Sequence, residues 1–215
     1  MTLLLENISL TIEDVLLLKR FTISIEAGEI VTLMGPSGCG KSSILAYIAG
    51  DLTAPMRATG RVMLNGVDLV RMAPDRREIG RLFQDDLLFP HLTVGENLLF
   101  GIARGGSAER RDLVNDALSR AQLEGLENRA PHTLSNGQKA RVALFRALMA
   151  KPQAMLLDEP FSKLDAELRQ SIRNYVFAHL RERNIPTLLV THDREDAPLG
   201  GRIFHISNKG DLIRA

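Results

Sequence analysis

The sequence has a single cysteine, Cys39, and no apolar run approaching the roughly 18 residues a helix needs to cross a bilayer. One cysteine excludes an internal disulfide and suits a reducing compartment. Without a spanning run, any membrane role depends on a partner. Charge of one sign is also missing. Lys and Arg number 27 against 26 Asp and Glu, a formal net charge of +1, which argues against a dedicated nucleic-acid binder. The start, Met1 to Asp14, lacks a basic region and carries Glu6, Glu13 and Asp14, so it is not expected to be a signal peptide. There is no internal repeat, low-complexity segment or long charge run. Arg76-Arg77 and Arg110-Arg111 are pairs only, read as solvated surface. What remains is a 215-residue chain able to bury one full core, expected to be soluble and cytoplasmic.

Against these absences one stretch stands out: Gly35-Pro36-Ser37-Gly38-Cys39-Gly40-Lys41-Ser42. Two glycines four residues apart, followed by Lys and Ser, form the phosphate-loop pattern. The β-branched run Ile30 to Met34 before it reads as a buried strand, and Ser43 to Ala49 after it as a helix. Glycines let the backbone wind so that successive N–H groups point at phosphate oxygens, and the helix adds its positive end. Lys41 can reach the β- and γ-phosphates, and the Ser42 hydroxyl can ligate Mg²⁺. A nucleoside triphosphate is the expected ligand.

Leu3 to Leu10 and Phe21 to Ile25 alternate as strands, and Arg61 to Leu64 reads as a strand ending in the tight turn Asn65-Gly66. Ile79 to Gln84 is a short strand ending in an amide. The following run, Leu87 to Leu92, is apolar where a loop should be polar, so it is either core or a contact surface. Thr93 and Glu96 form a capping box, and Ser107 is expected to cap an amphipathic helix to Gln122 with Arg110-Arg111 on its outer face. Ser135 caps a further helix running to Met149, whose N-terminus can meet an anion. Ala154 to Glu159 is a buried parallel strand ending in two acids, where doubly wound folds place ligands. Asp158 can hold Mg²⁺ through water, and Glu159 can take a proton from an attacking water. Ser162 to Asp165 caps a helix from Ala166 to Arg183. His192 follows the strand Thr187 to Thr191; such a histidine is either structural or a contact to water or a γ-phosphate. Arg202 to Ser207 and Leu212 to Arg214 read as the last strands.

Together these segments resemble the ATP-binding subunit of ABC transporters, over essentially the whole chain and in the family's order. Gly35 to Ser42, with Ser43, resembles Walker A; Gln84 the Q-loop; Leu134 with Ser135, Asn136, Gly137 and Gln138 the signature motif. Met155 to Glu159 is similar to Walker B, Ser162 to Asp165 to the D-loop, and His192 to the switch histidine. The resemblance implies an α/β fold: a P-loop NTPase core with a parallel sheet, an antiparallel β flank and an inserted helical subdomain. A single domain, 1–215, would hold the core in 1–84 and 153–215 and the helical subdomain in 85–152. It implies ATP and Mg²⁺ as cofactors, with Ser42, Gln84 and Asp158 at the metal and Glu159, His192 and Gln84 catalytic. Two cassettes, identical or not, would pair head to tail, so that Ser135 to Gln138 and Asp165 of one meet the ATP held by the other. The remaining partners are transmembrane permease subunits, whose coupling helix would sit against Leu87 to Leu92, with no nucleic acid involved. The chain would then lie peripherally on the inner face of the cell membrane.

The pattern Phe89 to Val94 with Asn97 is similar to bacterial importers of sugars, polyamines, sulfate or thiamine. Three positions depart from the family. No aromatic stands near Ile12, where one usually stacks on adenine. Asn136 replaces a usual Gly, at a position where Asn tolerates left-handed backbone. Lys163 replaces a small D-loop residue and brings a charge toward the dimer seam. Two other readings fit less of the sequence. A soluble ABC-type ATPase of DNA repair or translation usually carries a coiled-coil insertion or a second cassette, and a nucleotide-binding regulator without turnover has no use for Glu159 and His192.

Overall fold

The computed structural model describes residues 1–102 and 106–215 and divides into two compact units. The first contains Met1–Arg81, Gln153–Glu159 and Phe177–Ala215, and the second Leu82–Pro152 and Pro160–Val176. The expected helical segment 85–152 falls within the second unit, which also takes in the D-loop and the first part of the helix that follows it.

Two sheets build the first unit. The flank is antiparallel: β1 (Leu3–Ile12) and β2 (Val15–Ile25) form a hairpin, and β1 also pairs with β4 (Met56–Leu64), which turns into β5 (Val67–Asp68). The turn into β5 is Asn65-Gly66, with φ of 52° and 82°, the backbone that a two-residue hairpin loop requires. The first two strands run well beyond the alternating segments. Val15 to Leu18 is a continuous apolar run in which only Leu18 is buried, so no period of two could mark it. The second sheet has the order β10-β9-β3-β8-β7-β6, from β3 (Ile30–Met34), β6 (Ile79–Leu82), β7 (Ala154–Asp158), β8 (Thr187–Val190), β9 (Ile203–Ile206) and β10 (Leu212–Arg214). β3 runs parallel to β8 and β9, and β7 parallel to β8, while β10 turns back antiparallel on β9. β3, β7 and β8 are buried along their whole length, as their unbroken apolar runs require. β6 ends at Leu82, so Gln84 lies in the loop beyond it.

α1 (Lys41–Ala49) buries Ile44, Leu45 and Ile48 in a core shared with Leu5, Ile8, Leu33 and Val190. Each such side chain contributes about 1.5–3 kcal/mol. The C-terminal end of this helix is held by Arg77, which is only 5% exposed. Its guanidinium donates to the carbonyls of Tyr47 (3.0 Å), Ile48 (2.8 Å), Met72 (3.0 Å) and Val70 (3.2 Å). Arg77 is therefore no surface charge; burial pulls its pKa down, and four carbonyls satisfy the group in place of a carboxylate.

In the second unit, α2 (Val94–Gly101) starts at the expected capping box of Thr93 and Glu96. The fully buried Asn97 donates to the carbonyls of Phe89, Leu92 and Thr93, and its Oδ1 accepts from the N–H of Phe89. That amide shapes the apolar loop before the helix. α3 (Ser107–Arg120) is capped by the Gly106 backbone with no side-chain bond, so Ser107 is its first residue and not its cap. Arg110 is half-buried and donates to the carbonyl of Leu99 (3.2 Å), so Arg111 alone of the pair is on the outer face. α4 (Asn136–Met149) and α5 (Ala166–Glu182) complete the described helices of the chain.

Replacing Arg77 with Met should lower the unfolding free energy by about 3 kcal/mol, because it orphans buried carbonyls. A urea midpoint that falls at unchanged slope is the expected signature. Lys, a single point charge, should not restore it. An unchanged midpoint in the Met variant would contradict this account.

Candidate functional site

Three strand ends converge in the first unit. Leu33 pairs with Val190, and Val190 with Asp158, so the residues after β3, β8 and β7 leave the sheet at one edge. From β3 the chain enters the loop Gly35 to Gly40. Gly38 and Gly40 have φ of 80° and 94°, and a Cβ on Gly40 would stand 2.6 Å from the Leu10 side chain, so only glycine closes this turn. α1 then begins at Lys41 with no side-chain cap and no acid in its first turn. Its leading N–H groups and the positive helix end are thus left for an anion from outside the chain. Lys41 Nζ donates to the carbonyls of Gly35 (2.8 Å) and Pro36 (2.9 Å), which holds the ammonium over the loop. Ser42 and Ser43 follow on the first turn and, with Ala46, Asp51 and Met56, line a cavity of about 280 Å³. Ile12, at the tip of the β1–β2 hairpin, lines the same cavity and offers an apolar edge where the family has an aromatic.

Asp158 closes β7 and is only 3% exposed. Burial raises its carboxyl above the ordinary value of 3.8; a hydrogen bond from Ser42 and the charges of Arg81 and Lys41 pull it down, while Glu159 pushes it up. Arg81, which sequence reasoning passed over, is paired with Asp51 at 2.5 Å and reaches the Ser42 carbonyl at 3.5 Å, so it ties β6 to the loop helix. Glu159 is left-handed (φ 49°), an uncommon conformation for a side chain with a Cβ, and its N–H donates to the Val190 carbonyl at 2.9 Å. That sharp exit from β7 brings its carboxylate beside the end of β8. Glu159 Oε1 lies 2.8 Å from His192 Nδ1, and Oε2 3.4 Å from the Thr191 hydroxyl. A carboxylate only accepts, so Nδ1 carries the shared proton. His192 is 70% exposed, while Glu159 is largely covered.

These residues fit a hard divalent cation bound with a phosphate. Among the described residues no group of three His, Cys, Asp or Glu side chains is gathered to hold a metal alone. Mg²⁺ needs no such cage, since it binds through one or two carboxylates, water and substrate phosphates. The Ser42 hydroxyl against the buried Asp158 carboxyl supplies that donor set.

The other expected site residues belong to the second unit. Ser135 and Gln138 form a reciprocal capping box at the start of α4, with bonds of 3.2 and 2.9 Å. Asn136 is the first helical residue and is exposed; it is not left-handed, so the tolerance of Asn for that conformation is not what preserves the motif. A Cβ on Gly137 would meet the Lys163 carbonyl at 3.1 Å, so the small residue lets the signature turn approach the D-loop. Lys163 does not stand as a bare charge: its Nζ is 3.0 Å from Asp86 Oδ1. Asp165 Oδ1 accepts from the Leu168 N–H (3.0 Å) and caps α5. Gln84 is exposed on its loop.

A phosphate loop between a strand and a helix, with two acids and a histidine on the neighbouring strand ends, defines a nucleoside-triphosphate-binding domain. Residues 18–162 match the family model described as ABC transporter, and the chain belongs to that family as one of its ATP-hydrolysing cassettes. It is 45% identical over 207 residues to the uncharacterised ABC transporter ATP-binding protein YnjD of Escherichia coli K12, covering 95% of each chain. It is 42% identical to the sulfate/thiosulfate import ATP-binding protein CysA of Synechocystis, covering 92% of this chain and 55% of that one. With the Fe(3+) ions import ATP-binding protein FbpC of Escherichia coli O157:H7 the identity is 38%, over 98% and 60%. The chain thus spans nearly all of the first relative and little more than half of the other two. Among solved structures, the ATP-binding cassette MJ0796, a dimer bound to ADP and Pi in a post-hydrolysis state, superposes with a TM-score of 0.84 at 31% identity, over 98% of this chain and 96% of that one.

The raised Asp158 carboxyl has a consequence for stability. A folded-state pKa above the unfolded value means that ionising the group disfavours the fold, so stability declines as pH rises between the two values. Asp158→Asn should therefore melt at a higher temperature than the parent at pH 7 in chelator without nucleotide. The difference should vanish as the pH drops below the ordinary carboxylate range. A lower melting temperature for the Asn variant at pH 7 would show that the charge stabilises the fold.

Proposed function

We propose that this chain binds Mg-ATP at the shared edge of β3, β7 and β8 and hydrolyses it to drive solute import through a membrane permease. The observation that carries the reading is the Glu159–His192 pair at 2.8 Å beside a buried Asp158 that bonds Ser42. The loop N–H groups of Gly35 to Gly40, the first turn of α1 and Lys41 bind the β- and γ-phosphates. Ser42 would hold Mg²⁺ by its hydroxyl and Asp158 through water, and the ion would supply charge neutralisation for the transferring phosphoryl group. Glu159 accepts a proton from the water that attacks the γ-phosphorus; the bond to the bridging oxygen breaks, and ADP leaves with phosphate. His192 holds the Glu159 carboxylate through Nδ1 and presents an exposed ring toward solvent.

A second cassette completes the site. The capped N-terminus of α4, with Ser135, Asn136, Gly137 and Gln138, is suited to meet a γ-phosphate held by the opposite copy, and Asp165 lies on the neighbouring D-loop. Gln84 would join Ser42 and Asp158 at the metal and Glu159 and His192 in catalysis in this reading. Permease subunits are the membrane partners in this reading, which relatives named as import ATP-binding proteins support; no described helix is itself long and apolar enough to cross a bilayer. Their contact surface includes Leu87 and Phe100, 56% and 66% exposed, with the Phe89 ring 4.6 Å from that of Phe100. Import is the favoured direction, given relatives named as import ATP-binding proteins. The chain would then work at the inner face of the cell membrane.

Glu159→Gln should keep ATP binding while turnover falls at least about a hundredfold, since it removes the proton acceptor and leaves the phosphate and Mg²⁺ contacts. With Mg-ATP the variant should elute as a dimer on gel filtration. Hydrolysis near the parent rate would overturn the assignment of Glu159.

A further inference from the structure

β8 ends in Thr187-Leu188-Leu189-Val190, and the next residue, Thr191, is as deeply buried as the strand itself. Burial alone would be met by valine, which has the same branched shape. A hydroxyl in that place costs stability unless it is bonded. Three groups surround it. The N–H of Asp193 donates to Thr191 Oγ at 3.1 Å, Asp196 Oδ2 lies at 3.1 Å, and Glu159 Oε2 at 3.4 Å. A hydroxyl has one proton and two lone pairs, so this oxygen accepts from Asp193 and shares its own proton between two carboxylates. Branching at Cβ restricts χ1 and keeps the hydroxyl aimed at them.

His192 lies between Thr191 and Asp193, so the Thr191 side chain closes a small ring around the backbone that carries the imidazole. The turn is knitted further on: Asp193 Oδ1 accepts from the Glu195 N–H (2.9 Å), and the Asp196 N–H donates to the Asp193 carbonyl (3.2 Å). Asp196 is fully buried, where a carboxylate survives only among partners. The same three-residue segment thus grips both oxygens of Glu159, Oε1 through His192 and Oε2 through Thr191.

We infer that Thr191, backed by the buried Asp196, is a positioning residue that fixes the Glu159 carboxylate and the His192 turn relative to each other. The inference rests on the reading of Glu159 as proton acceptor. The contact that links Thr191 to the reaction is the one to Glu159 Oε2, so it acts through Glu159. A displaced carboxylate binds ATP as before and accepts the proton less well, so the effect belongs in kcat.

The test is steady-state hydrolysis and Mg-ATP affinity for Thr191→Val, Thr191→Ser, Glu159→Gln and the double variant Thr191→Val with Glu159→Gln. Thr191→Val should lower kcat about ten- to a hundredfold while affinity stays within about twofold. Thr191→Ser should restore most of the loss. In the Glu159→Gln background the Val substitution should change nothing further, because there is no carboxylate left to position. If the Val variant does not fold, Thr191→Ala, which sets no methyl against Asp196, is read in the same way. A Val or Ala variant with parental kcat, while Glu159→Gln is inactive, overturns the inference and leaves Glu159 in its role. Loss of affinity in step with kcat, in both backgrounds, also overturns it, because that is the mark of a structural threonine. Parental kcat in Glu159→Gln overturns the reading of Glu159 itself.

Discussion

In a parallel sheet the strands end at a common edge, and the hydrogen bonds that pair Leu33 with Val190 and Val190 with Asp158 set which residues meet there. Everything chemical in the first unit follows from that register. One residue past β3 begins the phosphate loop, β7 ends on Asp158, and one residue past β8 stands Thr191, followed by His192. Strand pairing specifies side-chain placement to a single residue, since a slip by one sends each side chain to the opposite face. A one-residue slip of β7 against β8 would turn Asp158 away from Ser42. The buried apolar runs of β3, β7 and β8 make such a slip costly, so the core fixes the site.

The site is assembled from groups that do not favour the fold by themselves. Asp158 is a carboxyl in a desolvated place, Glu159 holds a left-handed backbone, and the first turn of α1 has no side-chain cap. In the proposed reading, a bound, charged ligand supplies what the chain withholds at the first turn of α1 and at Asp158. Phosphate oxygens would accept from the uncapped N–H groups, and a cation beside Asp158 would compensate for its lost hydration. The rest of the unit is built to bear this. Arg77 fastens the far end of α1, Arg81 fastens its flank to β6 through Asp51, and the core cluster packs beneath. The proposed site is thus concentrated where local preference is overruled, and the packed core and the arginine contacts lie around it.

Much of this was legible in the sequence because local chemistry decided it. The strand Ile30 to Met34, the capping box at Thr93, the N-cap Ser135 and the Asn65-Gly66 turn each rest on residues close in sequence, and the structure has all of them. What was not legible depends on contacts distant in the chain. Lys163 looked like a charge brought to a seam, but its partner Asp86 is 77 residues away. Arg77 and Arg110 read as surface until the carbonyls of Tyr47, Ile48 and Leu99 claimed them. Thr191 and Asp196 carried one weak signal, a hydroxyl at the end of an apolar strand with acids two and five residues on. Nothing local showed that Glu159 would arrive beside them.

Equilibrium titration with Mg-ATP tests whether the strand edge with Lys41, Ser42 and Asp158 holds the nucleotide. The parent should bind saturably and Lys41→Ala should lose binding, with both proteins equally folded by their melting curves. Binding of Mg-ATP by the alanine variant with the parent's affinity would contradict that placement.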